Sequence, residues 1–131
     1  MKNLFIAALS ILMFCSIASA QTKIAAKDAS KHIGDTVTIS DKIYSTKLIE
    51  NTNMVLLDMG GSHPKQLLTI VIKGEDRNKF SNKPEEYYKG RNVNVTGVLI
   101  NYNGKPEIII SSPENLKVEL VDNIVPQKNG F

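Results

Sequence analysis

The chain has 131 residues, a formal net charge of +3 and a single cysteine. That length fits one domain and leaves little room for a second, and one cysteine excludes a disulfide-stapled scaffold. The small positive charge permits an anionic partner without requiring one, since dedicated nucleic-acid binders carry a pronounced basic patch.

The first 20 residues are set apart from the rest. Met1-Lys2-Asn3 is a short positive segment, residues 4–17 are apolar except for Ser10 and Ser16, and Ala18-Ser19-Ala20 supplies an A-x-A cleavage pattern. Residues 1–20 are therefore expected to be a signal peptide cut after Ala20. The apolar run is short for a membrane span, which needs roughly 20 residues. A retained N-terminal anchor is one alternative. Lipid attachment at Cys15 is another, although the bulky Phe14 beside it is a poor fit to such a site. Cleavage removes Lys2 and Cys15, leaving a weakly basic, cysteine-free exported chain, periplasmic or secreted, with no membrane attachment. Residues 21–121 are expected to form the domain and residues 122–131 a flexible tail.

Residues 24–33 read as a short helix, with Ala25, Ala29 and Ile33 four apart and Ala26 and Ala29 three apart. Gly34 stands at the C-cap position. His32 reads as a cap or surface residue, because the other histidine, His63, has no Cys, Asp or Glu at a metal-ligand spacing. No metal site and no cofactor are expected.

After Gly34 the apolar period changes to two. Thr36-Val37-Thr38-Ile39-Ser40 alternates as a half-buried strand, continuing with a bend through Ser45. Residues 54–59 and 67–73 give a second and a third strand, separated by the turn-rich Gly60-Gly61-Ser62-His63-Pro64-Lys65. Residues 75–89 break the pattern with two short helical turns, one from Asp76 and one with Pro84 at its first position. Phe80, Tyr87 and Tyr88 in this insert read as core plugs. Alternation resumes from Asn92 to Tyr102, Asn103-Gly104 is a strong hairpin signal, and Pro106-Glu107-Ile108-Ile109-Ile110 follows. Leu116 onward offers a last edge strand.

Five strands with a helical insert between the third and fourth predict an all-β, five-stranded OB-fold barrel with a short N-terminal helix. Gly97 within a strand predicts a bulge or barrel corner. By alternation, Val37, Ile39, Val55, Leu57, Leu68, Ile70, Ile72, Val93, Val95, Ile108 and Ile110 fill the interior, and Thr69, Val71 and Lys73 face outward.

The run "GRNVNVTGVLINYNGKPEIIISSPENLKV", Gly90 to Val118, resembles the last two strands of bacterial OB-fold nucleic-acid-binding domain proteins. Those domains carry a V-x-V-T-G strand, a Tyr-x-Gly-Lys-Pro hairpin and a Pro-containing close. Gly34-Asp35-Thr36-Val37-Thr38-Ile39 is similar to their first strand, and "HPKQLLTIVIKGEDRNKF" to their third strand and following helix. The resemblance implies a non-enzymatic module that binds single-stranded DNA or RNA weakly. One departure stands out: the second and third strands lack the aromatics on which such domains stack bases.

No nucleophile–base pair and no phosphate loop is visible, so no catalytic residues are expected. The acidic pairs Glu75-Asp76 and Glu85-Glu86 read as solvated surface. The candidate nucleic-acid-binding residues are Tyr44, Lys47, Lys65, Thr69, Lys73, Arg77, Tyr102 and Lys105, on the face of strands two and three and on the loops joining strands one to two and four to five. The alternative is an exported module that holds a protein, sugar or cation on the same face.

Overall fold

The computed structural model describes residues 22–120; the expected signal peptide, Cys15 and the tail 122–131 lie outside them. Eight strands dominate: β1 (Thr22–Ala25), β2 (Thr36–Ile49), β3 (Met54–Met59), β4 (Leu68–Ile72), β5 (Asn92–Val98), β6 (Ile100–Tyr102), β7 (Lys105–Ile110) and β8 (Leu116–Val118). Two four-residue helices, α1 (Gly74–Arg77) and α2 (Pro84–Tyr87), separate β4 from β5 where the insert was expected. No described helix is long and apolar enough to cross a membrane.

The sheet runs in the order β6-β7-β4-β3-β2-β5-β8, with β1 paired to β2. The β1–β2 and β4–β7 ladders are parallel and the others antiparallel. The fold is thus all-β with one mixed sheet, and its hydrogen-bonded ladder does not close into the expected barrel. The count is eight rather than five for three local reasons. Buried Leu99 turns its backbone to residues before β2, donating to the Asp35 carbonyl and accepting from Gly34 N–H, which divides one alternating run into β5 and β6. Of the other two, β1 is an unexpected strand beside β2, and β8 is the edge strand expected from Leu116 onward.

The N-terminal helix expected over residues 24–33 is replaced by strand and 310 turn. Ile24 and Ala25 are extended and paired with Ile39 and Ser40, and only Ala26–Lys31 is helical, as 310. Ala26 and Ala29 are the buried pair, and their spacing of three matches the three-residue turn of a 310 helix. The free edge of β2 supplies hydrogen-bond partners to residues 22–25, and tertiary pairing of this kind overrides weak helical propensity.

All eleven residues expected in the interior are buried, joined by Ile43, Met59, Leu99, Leu116, Phe80 and Tyr88. Each fully buried aliphatic side chain contributes roughly 1.5–3 kcal/mol. Of the three insert aromatics, Phe80 and Tyr88 meet edge-to-face at 6.2 Å, Tyr87 is half-buried against Tyr88 at 4.9 Å, and Tyr88 donates its hydroxyl to the Leu116 carbonyl at 3.3 Å. The acidic pairs of the insert are not simply solvated: Asp76 is buried and bonded to Lys79 at 2.7 Å, and Glu85 is paired with Arg77.

Candidate binding groove

The side chains that turn away from the core form a groove across β2, β3, β4 and β7. Its shape begins with a bulge in β2. Ile43 pairs with Met59 but Ser45 pairs with Asp58, so Tyr44 is an extra residue without a cross-strand partner. Ile43 is fully buried in the core, whereas Ser45 and Lys47, at the same parity, line the groove. An inserted residue reverses which side alternate residues face. Tyr44 itself points elsewhere, with Lys42 Nζ 5.1 Å from its ring centre.

Strand register then lays the floor down in rows. Ser45, Asp58, Thr69 and Glu107 are successive cross-strand partners over four strands. The next row is Lys47, Leu56, Val71 and Ile109. Ile49, Met54 and Lys73 close one end, and Tyr102, Lys105 and His63 border the other. The enclosed volume is about 720 Å³, within the roughly 300–1,000 Å³ of small-ligand clefts.

Tyr102 and Lys105 are held by the hairpin between β6 and β7. Asn103 and Gly104 take φ of 50° and 82°, the left-handed pair of a type I′ turn, which Asn-Gly favours. Lys105 Nζ donates to the Pro64 carbonyl at 3.0 Å, tying the hairpin to the loop after β3.

The polar row is wired in one direction. His63 N–H donates to Ser45 Oγ at 3.1 Å, and Ser45 Oγ donates to Asp58 Oδ2 at 2.8 Å. On the other side Gln66 Nε2 donates to Thr69 Oγ1 at 3.3 Å and Thr69 Oγ1 to Asp58 Oδ1 at 3.5 Å. Asp58 is 5% exposed and has no ion-pair partner among the described residues. Burial raises the Glu107 carboxyl above its ordinary range. Gln66 Oε1 is fully buried without a hydrogen-bond partner among the described residues. Lys47 and Lys73, by contrast, are exposed and carry no ion pair among the described residues.

Of the eight residues expected at the site, Lys47, Thr69, Lys73, Tyr102 and Lys105 line this groove. Three lie apart from it. Tyr44 is the bulge residue, Lys65 is exposed on the loop after β3, and Arg77 is occupied by Glu85, whose carboxylate raises the guanidinium's pKa. Burial pushes the Glu85 carboxyl upward, but the hydrogen bonds and charge of Arg77 outweigh it and hold that carboxyl below its usual range. Asp58, Gln66 and Glu107 were missed. Asp58 was detectable as the one charge in an apolar strand, at the outward parity between Leu57 and Met59. Among the described residues no group of three His, Cys, Asp or Glu gathers as a metal site would require.

No protein-family model matches the chain, and no curated protein matches it. Among solved structures, it is similar to a protein described as an aspartyl-tRNA synthetase from Leishmania major Friedlin, at 11% identity and a TM-score of 0.49. That match covers 79% of this chain and 22% of the synthetase chain. The chain therefore spans under a quarter of the protein it matches, and the likeness at this level assigns no ligand.

Proposed function

We propose that the chain is a non-enzymatic OB-type module that binds single-stranded nucleic acid weakly along the β2–β3–β4–β7 groove. Strand order supports the OB reading. Only Leu99 separates β5 from β6, so one stretch pairs with β2 at its start and with β7 at its end, and the helical insert falls between β4 and β5. In that arrangement the groove lies on the face such modules use for oligomers.

One observation carries the ligand class: three exposed lysines, Lys47, Lys73 and Lys105, surround an apolar floor of Leu56, Val71 and Ile109 beside the exposed ring of Tyr102. Rim cations suit phosphates, and an apolar floor with one ring suits base faces. Tyr102 is the one aromatic residue other than His63 among the described residues lining the groove, which agrees with weak binding, since each stacked base is worth about 1–3 kcal/mol. Titration of a labelled single-stranded oligonucleotide at several salt concentrations tests the reading. Three phosphate contacts give a slope of log K on log salt of about −2, at about −0.7 per contact. No binding at low salt ends it.

A second reading rests on Asp58 and Glu107, which place two carboxylates in the groove without basic partners among the described residues. A protein segment or small ligand bearing a cation would answer them. Export, with cleavage near Ala20, belongs to the proposal and rests on the A-x-A pattern behind residues 4–17; N-terminal sequencing of the exported chain tests it.

A further inference from the structure

We infer that the polar row on the groove floor is a subsite that offers a ligand mainly hydrogen-bond acceptors, and so favours bases carrying an exocyclic amino group over thymine or uracil. This rests on the nucleic-acid reading above and names what the floor would select within it.

The direction of the hydrogen bonds makes the case. A hydroxyl has one hydrogen to give. Ser45 gives its hydrogen to Asp58 Oδ2 and Thr69 gives its own to Asp58 Oδ1. With Thr69 so committed, its oxygen accepts from Gln66 Nε2. That chain fixes the amide and leaves Gln66 Oε1 buried and unpartnered. What remains for a ligand is the Glu107 carboxylate, the unused lone pairs of Asp58 and the orphaned Gln66 oxygen, against one donor, the second hydrogen of the Gln66 amide. Glu107 is the reachable member of the row, half-buried beside Thr69, and the deeper Asp58 adds negative potential one strand further on. The groove's lysine ammonium groups are donors of a different kind, set on exposed side chains at its margin where a phosphate backbone would run.

A base entering the row must therefore bring hydrogens. Cytosine, adenine and guanine each present an amino group on the Watson–Crick edge, and acidic side chains accept from such groups. Thymine and uracil present two carbonyl oxygens flanking one N–H, so their lone pairs would face the Glu107 carboxylate. An unpaired buried acceptor is costly, and a bound amino group would relieve Gln66 as well as engage Glu107.

Fluorescence anisotropy with labelled oligo-dC and oligo-dT of about 12 nucleotides, a length one OB module can cover, tests the inference at neutral pH. Oligo-dC is expected to bind about tenfold more tightly, equivalent to about 1.4 kcal/mol. Glu107→Gln introduces a donor and should bring the ratio to about threefold or below, chiefly through tighter oligo-dT binding. Gln66→Ala should lower the ratio by weakening oligo-dC alone. Equal affinities for the two oligomers in the unaltered protein, or a ratio that Glu107→Gln leaves unchanged, overturn the subsite while the nucleic-acid reading stands. Failure of both oligomers to bind at low salt removes that reading, and the subsite with it.

Discussion

A Cβ placed on Gly97 would stand 2.7 Å from Cγ2 of Ile108. The two residues belong to β5 and β7, which share no ladder, yet their approach is as close as backbone against side chain permits. Gly97 also pairs with Val37 in β2. It is therefore the point where the chain passes over the buried Ile108 before turning at Leu99 toward β7.

Gly97→Ala forces the fully buried Ile108 to move and is expected to destabilise by about 1–3 kcal/mol, the usual penalty of overpacking. Urea unfolding should show a lower midpoint with an unchanged slope. Gly97→Ala combined with Ile108→Val should recover part of the loss, because the smaller residue still brings a methyl to the site but has less to displace.

Gly74→Ala should be worse. Its Cβ would lie 1.8 Å from the Thr52 carbonyl oxygen, a backbone atom of the turn between β2 and β3 that cannot step aside like a side-chain tip. The expected loss exceeds about 3 kcal/mol, in the range reserved for specific steric failures, and soluble yield with thermal unfolding measures it.

Two glutamates give opposite pH signatures. Glu107 has a raised carboxyl pKa, so its contribution is fully present below the ordinary value of 4.5 and is lost as pH rises through the raised one. Glu107→Gln is therefore expected to be slightly more stable than the unaltered protein at pH 7, with the advantage fading in acid. Glu85 has a lowered pKa, so its contribution is present above its unfolded value and disappears as pH falls through the folded one. Arg77→Met should abolish that acid-side loss and lower stability at pH 7. Urea midpoints measured from pH 3 to 8 check both signs.

Removing Lys47 or Lys73 should weaken binding of a single-stranded oligonucleotide about equally for every sequence, and should reduce the salt slope by about 0.7 for each lysine. Arg77, held by Glu85 away from the groove, serves as the contrast: its replacement should leave that slope unchanged.

Much of the architecture could be read from alternation. The residues assigned to the interior are all buried, the Asn103-Gly104 turn falls between the two strands it was expected to join, and the insert aromatics pack into the core. Local pattern fails where a distant segment decides. Residues 22–25 become a strand because β2 has an open edge, which no property of Ile24 or Ala25 announces. Tyr44 illustrates the same limit at the site. Its ring chemistry suggested stacking, but only the register between β2 and β3 reveals it as the surplus residue of a bulge. The lysines that reach the groove were legible from parity and from the hairpin. The carboxylates of the floor were not legible, since Asp58 and Glu107 stand in different strands and flank Thr69 only through the antiparallel β3–β4 and the parallel β4–β7 pairings.

The 14-residue β2 gives its first half to β5 and β1 and its second half to β3. Any fluctuation that frees one side of the molecule must therefore loosen the shared strand that the other side also relies on. Amide hydrogens on either half of β2 should consequently exchange with solvent at closely similar slow rates, as in a molecule that opens as one unit. A nick between Ser40 and Ile43 would leave neither fragment with a complete set of strand partners.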